Sequence, residues 1–217
     1  LEFRRVLFRS TPPIAEEPWF PVAQKLRFAL DYVRYLAPRY ADVEKLRLRN
    51  IDRTPRVVRW LTSGPGAWLA GAGRVQAALT RLERLLPENA AMTELLEAER
   101  PDVVLLTSLT FSRSFAMDQL KAARQLGMPT AACILSWDHL SSKALVHIAP
   151  DRTLVWNAVQ RDEAVSMHGL PESSVVVTGA QCYDQWFDRR PERSKEAFCR
   201  DRKSTRLNSS HVALSRM

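Results

Sequence analysis

The sequence lacks the short motifs that identify the commonest nucleotide-binding and hydrolytic folds. No G-x-G-x-x-G is present, so the fingerprint of a classical dinucleotide-binding domain is missing. The chain also contains no G-x-x-x-x-G-K-[ST] and no G-x-S-x-G. The first absence excludes a P-loop nucleotidase, and the second argues against an α/β-hydrolase.

Patterns typical of metal sites and membrane spans are missing as well. The three cysteines, Cys133, Cys182 and Cys199, form no C-x-x-C pair and show no zinc spacing. No histidine of the central part of the chain pairs with another at helical spacing, so we expect no metal site. The cysteine usage fits a reducing, cytoplasmic compartment. No run of about 18 apolar residues exists, so no transmembrane helix is expected.

Both ends of the chain differ from its middle. Residues 1–10 (LEFRRVLFRS) and 201–217 (DRKSTRLNSSHVALSRM) resemble the translation of sequencing-adapter DNA, and we expect them to be non-native. The alternative is a basic N-terminal arm and a basic tail. The two stretches carry net charges of +2 and +3 out of the formal +8. The stretch between them, 11–200, is then only mildly basic, so nucleic acid is not expected as a partner.

Residues 11–100 are predicted to be a helical part of one N-terminal domain. After a Pro-rich start, apolar residues recur at helical spacing from Val22 to Leu36. Further helices are predicted for 41–51, for 55–62, for 69–86 and for 90–99 after a cap at Asn89. Eleven arginines lie between Arg27 and Arg84. They indicate either the solvated side of amphipathic helices or a face that binds anionic lipid or phosphate.

Residues 101–188 follow a different pattern, in which short apolar runs alternate with helices. Strands are predicted for 102–106, 130–135, 153–156 and 174–178, and helices for 114–126 and 157–168. The first run, DVVLL, shows no polar alternation, as expected of a strand buried on both faces. This order predicts an α/β fold with a Rossmann-like parallel sheet and flanking helices. Residues 189–200 are predicted to begin an interdomain linker or a second domain.

Polar residues follow each predicted strand. Because ligands of an open parallel sheet bind outside the carboxyl ends of its strands, these residues are the candidate site. The predicted substrate-binding residues, in chain order, are Ser108, Ser136, Trp137, Lys143, Asn157, Gly179 and Gln181. Their convergence favours a polar ligand that carries hydroxyl or phosphate groups.

The segment 136–143, SWDHLSSK, is the most distinctive. Trp137 is predicted to stack on a sugar or base, Asp138 to accept a proton from a hydroxyl, and Lys143 to bind a phosphate. The alternative is a structural loop in which Trp137 packs in the core and Asp138 pairs with Lys143. His139 is expected to face solvent rather than to act in catalysis.

Five segments together resemble the N-terminal domain of bacterial GT-B type glycosyltransferase-like proteins of surface-polysaccharide biosynthesis. These proteins are akin to the CDP-glycerol glycerophosphotransferase and UDP-N-acetylglucosamine 2-epimerase group. The resemblance rests on RPDVVLL at 100–106, SWDHLSSK at 136–143, PDRTLVWN at 150–157, EAVSMHGLP at 163–171 and VVVTGAQCYD at 175–184. The last segment departs from the family at Ala180, Gln181 and Cys182, where proline and a basic residue are common.

The resemblance implies the acceptor-binding half of a two-domain enzyme, with a truncated GT-B N-terminal domain. A second domain would bind a nucleotide-sugar donor, so this fragment would bind no cofactor and be inactive alone. Asp138 would be the catalytic base, or a carboxylate that orients the acceptor. The expected partner is a glycan or lipid-linked acceptor, and the expected location is the cytoplasm, with peripheral membrane contact for a lipid-linked acceptor.

Other functions remain open at this point. One is a sugar-nucleotide epimerase or a glycerophosphate transferase on the same fold. Another is a non-catalytic α/β domain that binds a sugar or a nucleotide. The donor half, which would separate these alternatives, does not appear in the sequence.

Overall fold

The computed structural model describes residues 17–107, 109–111, 114–190, 194, 196–197 and 200. The chain divides into a larger compact unit, Leu1–Gly179, and a smaller one, Ala180–Met217. All four strands and the helices before them belong to the larger unit. The predicted α/β class with a parallel sheet and flanking helices is confirmed.

A helical layer precedes the sheet. Its central contact is between α1 (Phe20–Arg34) and α4 (Gly71–Leu85). The apolar stripes of these two helices meet in a core that includes Leu30, Val33, Val75 and Leu79. The last of these helices, α5, is capped by Asn89, whose side chain accepts a hydrogen bond from Met92 N at 2.9 Å. The helices of this layer are α1 (Phe20–Arg34), α2 (Glu44–Ile51), α3 (Arg56–Ser63), α4 (Gly71–Leu85) and α5 (Ala90–Glu99).

Four parallel strands form the sheet: β1 (Val104–Leu106), β2 (Thr130–Cys133), β3 (Arg152–Val155) and β4 (Val175–Val177). They lie side by side in the order β1-β2-β3-β4. The helices that connect them are α6 (Ala116–Gln125), α7 (His139–Ser142) and α8 (Ala158–His168). Gly169 ends α8 with a φ of 67°, in the left-handed region that glycine adopts without strain.

Only one face of the sheet is covered by the described helices. Leu106, Ala132 and Val155 belong to a buried core on which α6 and α8 pack. On the opposite face Leu105 is 55 % exposed and Val176 is 41 % exposed. Successive right-handed crossovers in one direction place their helices on the same side, which accounts for this asymmetry. The prediction that the first strand is buried on both faces is therefore wrong.

Two arginines of α1 are buried instead of solvated. Arg27 forms a pair of hydrogen bonds to the Asp118 carboxylate at 3.0 and 3.1 Å, and Arg27 Nε donates to Glu83 at 3.0 Å. One guanidinium thus joins α1 to α4 and α6. Arg34 is buried as well, so the expectation that the arginines form a solvated face is wrong for these two.

The smaller unit contains a 3₁₀ turn, Gln181–Tyr183, and a short helix, α9 (Gln185–Asp188). Its described side chains are largely exposed. The Arg189 guanidinium stacks over the Trp186 ring at 4.3 Å from the ring centroid. Of the cysteines, Cys182 is exposed in this unit, Cys133 is half-buried in β2, and Cys199 lies outside the described residues.

Candidate functional site

The loops after β1 and β2 meet at the carboxyl edge of the sheet. Ala144 N donates a hydrogen bond to Thr110 O at 2.7 Å, which ties the two loops together. The segment SWDHLSSK leaves β2 at this edge and forms the short helix α7. The two loops therefore meet at Thr110 and Ala144, while Ser108 lies outside the described residues.

The helical layer holds this segment in place through its backbone. Arg34 donates to Leu140 O at 2.6 Å and to Lys143 O at 3.0 Å. Tyr35 Oη donates to Lys143 O at 2.7 Å. Because these donors come from α1 and the residue that follows it, more than a hundred residues away in the chain, the helical layer shapes the candidate site.

Asp138 is the most heavily hydrogen-bonded side chain of the segment. Its carboxylate accepts from Ser136 Oγ at 2.7 Å and from Ser142 Oγ at 3.2 Å, and Lys143 Nζ lies 3.1 Å from Oδ2. The Ser136 hydrogen bond, followed by those of Lys143 and Ser142, lowers the Asp138 pKa to about 2. The carboxylate is therefore ionised near neutral pH and has little tendency to take up a proton. The alternative that pairs Asp138 with Lys143 is confirmed as a contact.

Trp137 directly precedes Asp138 in the chain and is 72 % exposed. The alternative that it packs in the core is therefore wrong. His139 is buried, and its ring meets the Phe111 ring edge-on with centroids 5.1 Å apart. The expectation that His139 faces solvent is wrong, since the ring anchors α7 to the loop after β1. An exposed aromatic residue and an ionised carboxylate are therefore consecutive in the chain.

Asn157 and Gln160 connect the ends of β2 and β3. Asn157 caps α8 by accepting from Gln160 N at 2.9 Å, as the Asn-x-x-Gln pattern predicts. The Gln160 side chain accepts from Trp156 N at 2.8 Å and donates to Ser136 O at 2.9 Å. The Asn157 oxygen is thus engaged in capping, and sequence reasoning missed the bridging role of Gln160.

Three further predicted residues lie elsewhere or outside the described part of the chain. Gly179 follows β4 with a φ of 85°, a left-handed conformation that suits glycine. Gln181 is exposed and belongs to the smaller unit. Ser108 lies outside the described residues.

A pocket of about 270 Å³ opens beside Lys143, between the helical layer and the sheet edge. Its polar lining residues are the cations Arg49, Arg53 and Lys143, together with Thr110, Asn50 and Asp31. Sequence reasoning did not predict this pocket, because the sequence does not distinguish Arg49 and Arg53 from the other arginines of the helical region. Its remaining lining residues are Phe28, Phe111 and Ala144.

The chain was also compared with known proteins. No protein-family model, no curated protein and no solved structure matches it. The candidate function therefore rests on the residues and geometry described above.

The described residues contain neither a candidate metal cluster nor a candidate membrane span. No group of three or more His, Cys, Asp or Glu in that part of the chain has the arrangement needed to hold a metal ion. No described helix is both long and apolar enough to cross a bilayer. The buried histidines His147 and His168 are part of the core, where burial is the main cause that lowers the pKa of each to about 3.

Proposed function

We propose that this chain is the acceptor-binding half of a GT-B type glycosyltransferase, which moves a sugar from a nucleotide-linked donor to a surface-glycan or lipid-linked acceptor. The observation that carries the proposal is the juxtaposition at the sheet edge of an exposed Trp137 and an ionised Asp138. An aromatic face and a carboxylate that accepts hydrogen bonds are complementary to the two faces of a sugar ring.

The aromatic half of this site suits the apolar face of a pyranose. Trp137 is held on a segment whose backbone is fixed by Arg34 and Tyr35. The backbone of this segment therefore loses little freedom when a ligand stacks on the indole, which favours binding. A solvent-exposed tryptophan without such support would gain less from the same contact.

The acidic half suits orientation of an acceptor hydroxyl. A pKa of about 2 makes Asp138 a weak base near neutral pH. Of the two roles considered from the sequence, base or orienting carboxylate, this favours the second. Asp138 would accept a hydrogen bond from the attacking hydroxyl and set its direction toward the donor carbon, while Ser136 and Lys143 hold the carboxylate in place.

The donor site of the proposed enzyme is separate from this acceptor site. In a GT-B arrangement a second domain binds the nucleotide-linked sugar and transfer occurs in the cleft. We therefore propose that this chain binds acceptor without nucleotide. For a lipid-linked acceptor, the same proposal includes contact with a membrane surface.

Saccharide binding by the chain tests the proposal. We expect the wild-type chain to bind some members of an array of bacterial surface-polysaccharide oligosaccharides, and Trp137→Ala to lose that binding. Trp68→Ala is the matched control, because Trp68 is also exposed, at 82 %, but lies in the helical layer. Failure of the wild-type chain to bind any member, or equal losses in both variants, would contradict the proposal.

A further inference from the structure

The pocket beside Lys143 has an excess of positive charge. Arg49 and Arg53 line it, and both side chains are exposed. Arg49 donates to Ser142 O, and the Arg53 guanidinium stacks over the Phe28 ring at 5.2 Å from its centroid. Lys143 adds a third cation, although it also pairs with Asp138.

The negative charge in the pocket is small. Asp31 lies in its lining, where its Oδ1 accepts a hydrogen bond from Leu145 N at 2.7 Å. Three cations therefore face one carboxylate of the lining itself. Neighbouring arginines repel one another unless an anion lies between them, so the lining is electrostatically suited to a multiply charged anion.

The volume limits the size of that ligand. About 270 Å³ is slightly below the roughly 300–1,000 Å³ of pockets that enclose drug-sized molecules. The pocket therefore suits a phosphate or diphosphate group with little attached to it and does not suit a whole nucleotide sugar. Arginine is the residue best matched to phosphate, because its planar fork donates two parallel hydrogen bonds.

We infer that this pocket binds the phosphate group of a phosphorylated ligand through Arg49, Arg53 and Lys143. The pocket lies next to the saccharide surface proposed above, but the inference does not depend on glycosyl transfer. It uses arginines of the α2 region, whereas the proposed saccharide surface uses Trp137 and Asp138. The two can therefore fail separately.

Calorimetric titration of the chain with pyrophosphate tests the inference. We expect Arg53→Gln to weaken binding by at least about tenfold, because a charge-assisted hydrogen bond to phosphate is lost. Arg49→Gln should have a similar effect. Arg47→Gln is the matched control. Arg47 lies on α2, as Arg49 does, but it pairs with Glu44 and is outside the pocket. All three side chains lie at or near the surface, so circular dichroism should show folded variants.

A second arm distinguishes a soluble phosphate from a lipid headgroup. Vesicles of phosphatidylcholine with phosphatidic acid are compared with vesicles of phosphatidylcholine alone. Binding of pyrophosphate that depends on Arg53 supports a soluble source, and binding only of phosphatidic acid vesicles with the same dependence supports a headgroup. The inference is overturned if neither probe binds, or if Arg47→Gln weakens binding as much as Arg53→Gln.

Discussion

The Ser136 hydroxyl donates a 2.7 Å hydrogen bond to Asp138 Oδ1, and it is the largest single cause of the low pKa of that carboxyl. Ser136→Ala should therefore raise the Asp138 pKa from about 2 toward the ordinary value of 3.8. The carboxyl carbon of Asp138, followed by NMR as pH is lowered, measures this change. A Ser141→Ala control removes a hydroxyl that bonds only the Asp138 backbone oxygen and should leave the pKa in place. Equal titration curves for wild type and Ser136→Ala would contradict the electrostatic account of this site.

Arg27 is expected to be a major determinant of stability. Arg27→Met leaves the Glu83 and Asp118 carboxylates buried without their guanidinium, which costs about 3–5 kcal/mol of unfolding free energy. Urea denaturation measures the loss. The contrasting variant is Arg47→Met, whose exposed pair with Glu44 is worth no more than about 1 kcal/mol. Similar losses for both variants would show that the buried pairs do not join the helices as described.

The backbone of the candidate site should become more flexible when its hydrogen bonds to the helical layer are removed. Arg34→Met removes the donors to Leu140 O and Lys143 O, so the amides of 138–145 should exchange with deuterium faster than in wild type. Tyr35→Phe removes one donor to Lys143 O and should have a smaller effect, with a stability loss of about 1 kcal/mol. Exchange in α4, which these bonds do not touch, serves as the internal reference. Unchanged protection of 138–145 in Arg34→Met would contradict the role of Arg34.

Stability should fall as the solution becomes mildly acidic. Burial lowers the pKa of His147 and His168 to about 3, against 6.5 for the unfolded chain. Between these values the unfolded state binds more protons than the folded state, so stability is full above about pH 6.5 and decreases as pH falls. Each histidine contributes a slope of about 1.4 kcal/mol per pH unit.

Urea denaturation at several pH values between 4.5 and 7.5 checks this slope. In the wild-type chain His168 Nε2 bonds Leu140 O at 2.7 Å. The His168→Gln side chain cannot titrate but keeps a donor for this oxygen. The stability of this variant should depend less steeply on pH than that of wild type. A wild-type stability that is flat from pH 7.5 to 5 would show that these histidines are not buried in neutral form.

Local sequence signals were sufficient to predict most of the fold. Helical periodicity located α1 and α4, the Asn89 cap located the start of α5, and Gly169 located the end of α8. These signals act within a few residues of one another, so a single sequence contains them. The burial of the sheet was less predictable, because the run around Leu105 reads as fully buried while one face of the sheet is exposed.

Long-range partners explain what the sequence did not reveal at the site. Arg34 contacts residues more than a hundred positions away, and Arg49 and Arg53 reach a pocket whose other wall comes from the sheet loops. A surface arginine and a buried one look alike in sequence, since only the fold decides which partners they meet. Trp137 illustrates the same limit, because its exposure follows from the anchored backbone on either side.

The most direct test of the proposed acceptor site is an NMR titration of the isotope-labelled chain with a surface-polysaccharide oligosaccharide. We expect chemical-shift changes at the Trp137 indole and at the backbone amides of 136–143, with no change at the Trp68 indole. Saturable shifts confined to that surface would support acceptor binding at the carboxyl edge of the sheet. If the shifts appear only elsewhere, or if no shift appears at millimolar oligosaccharide, the proposed acceptor site is wrong.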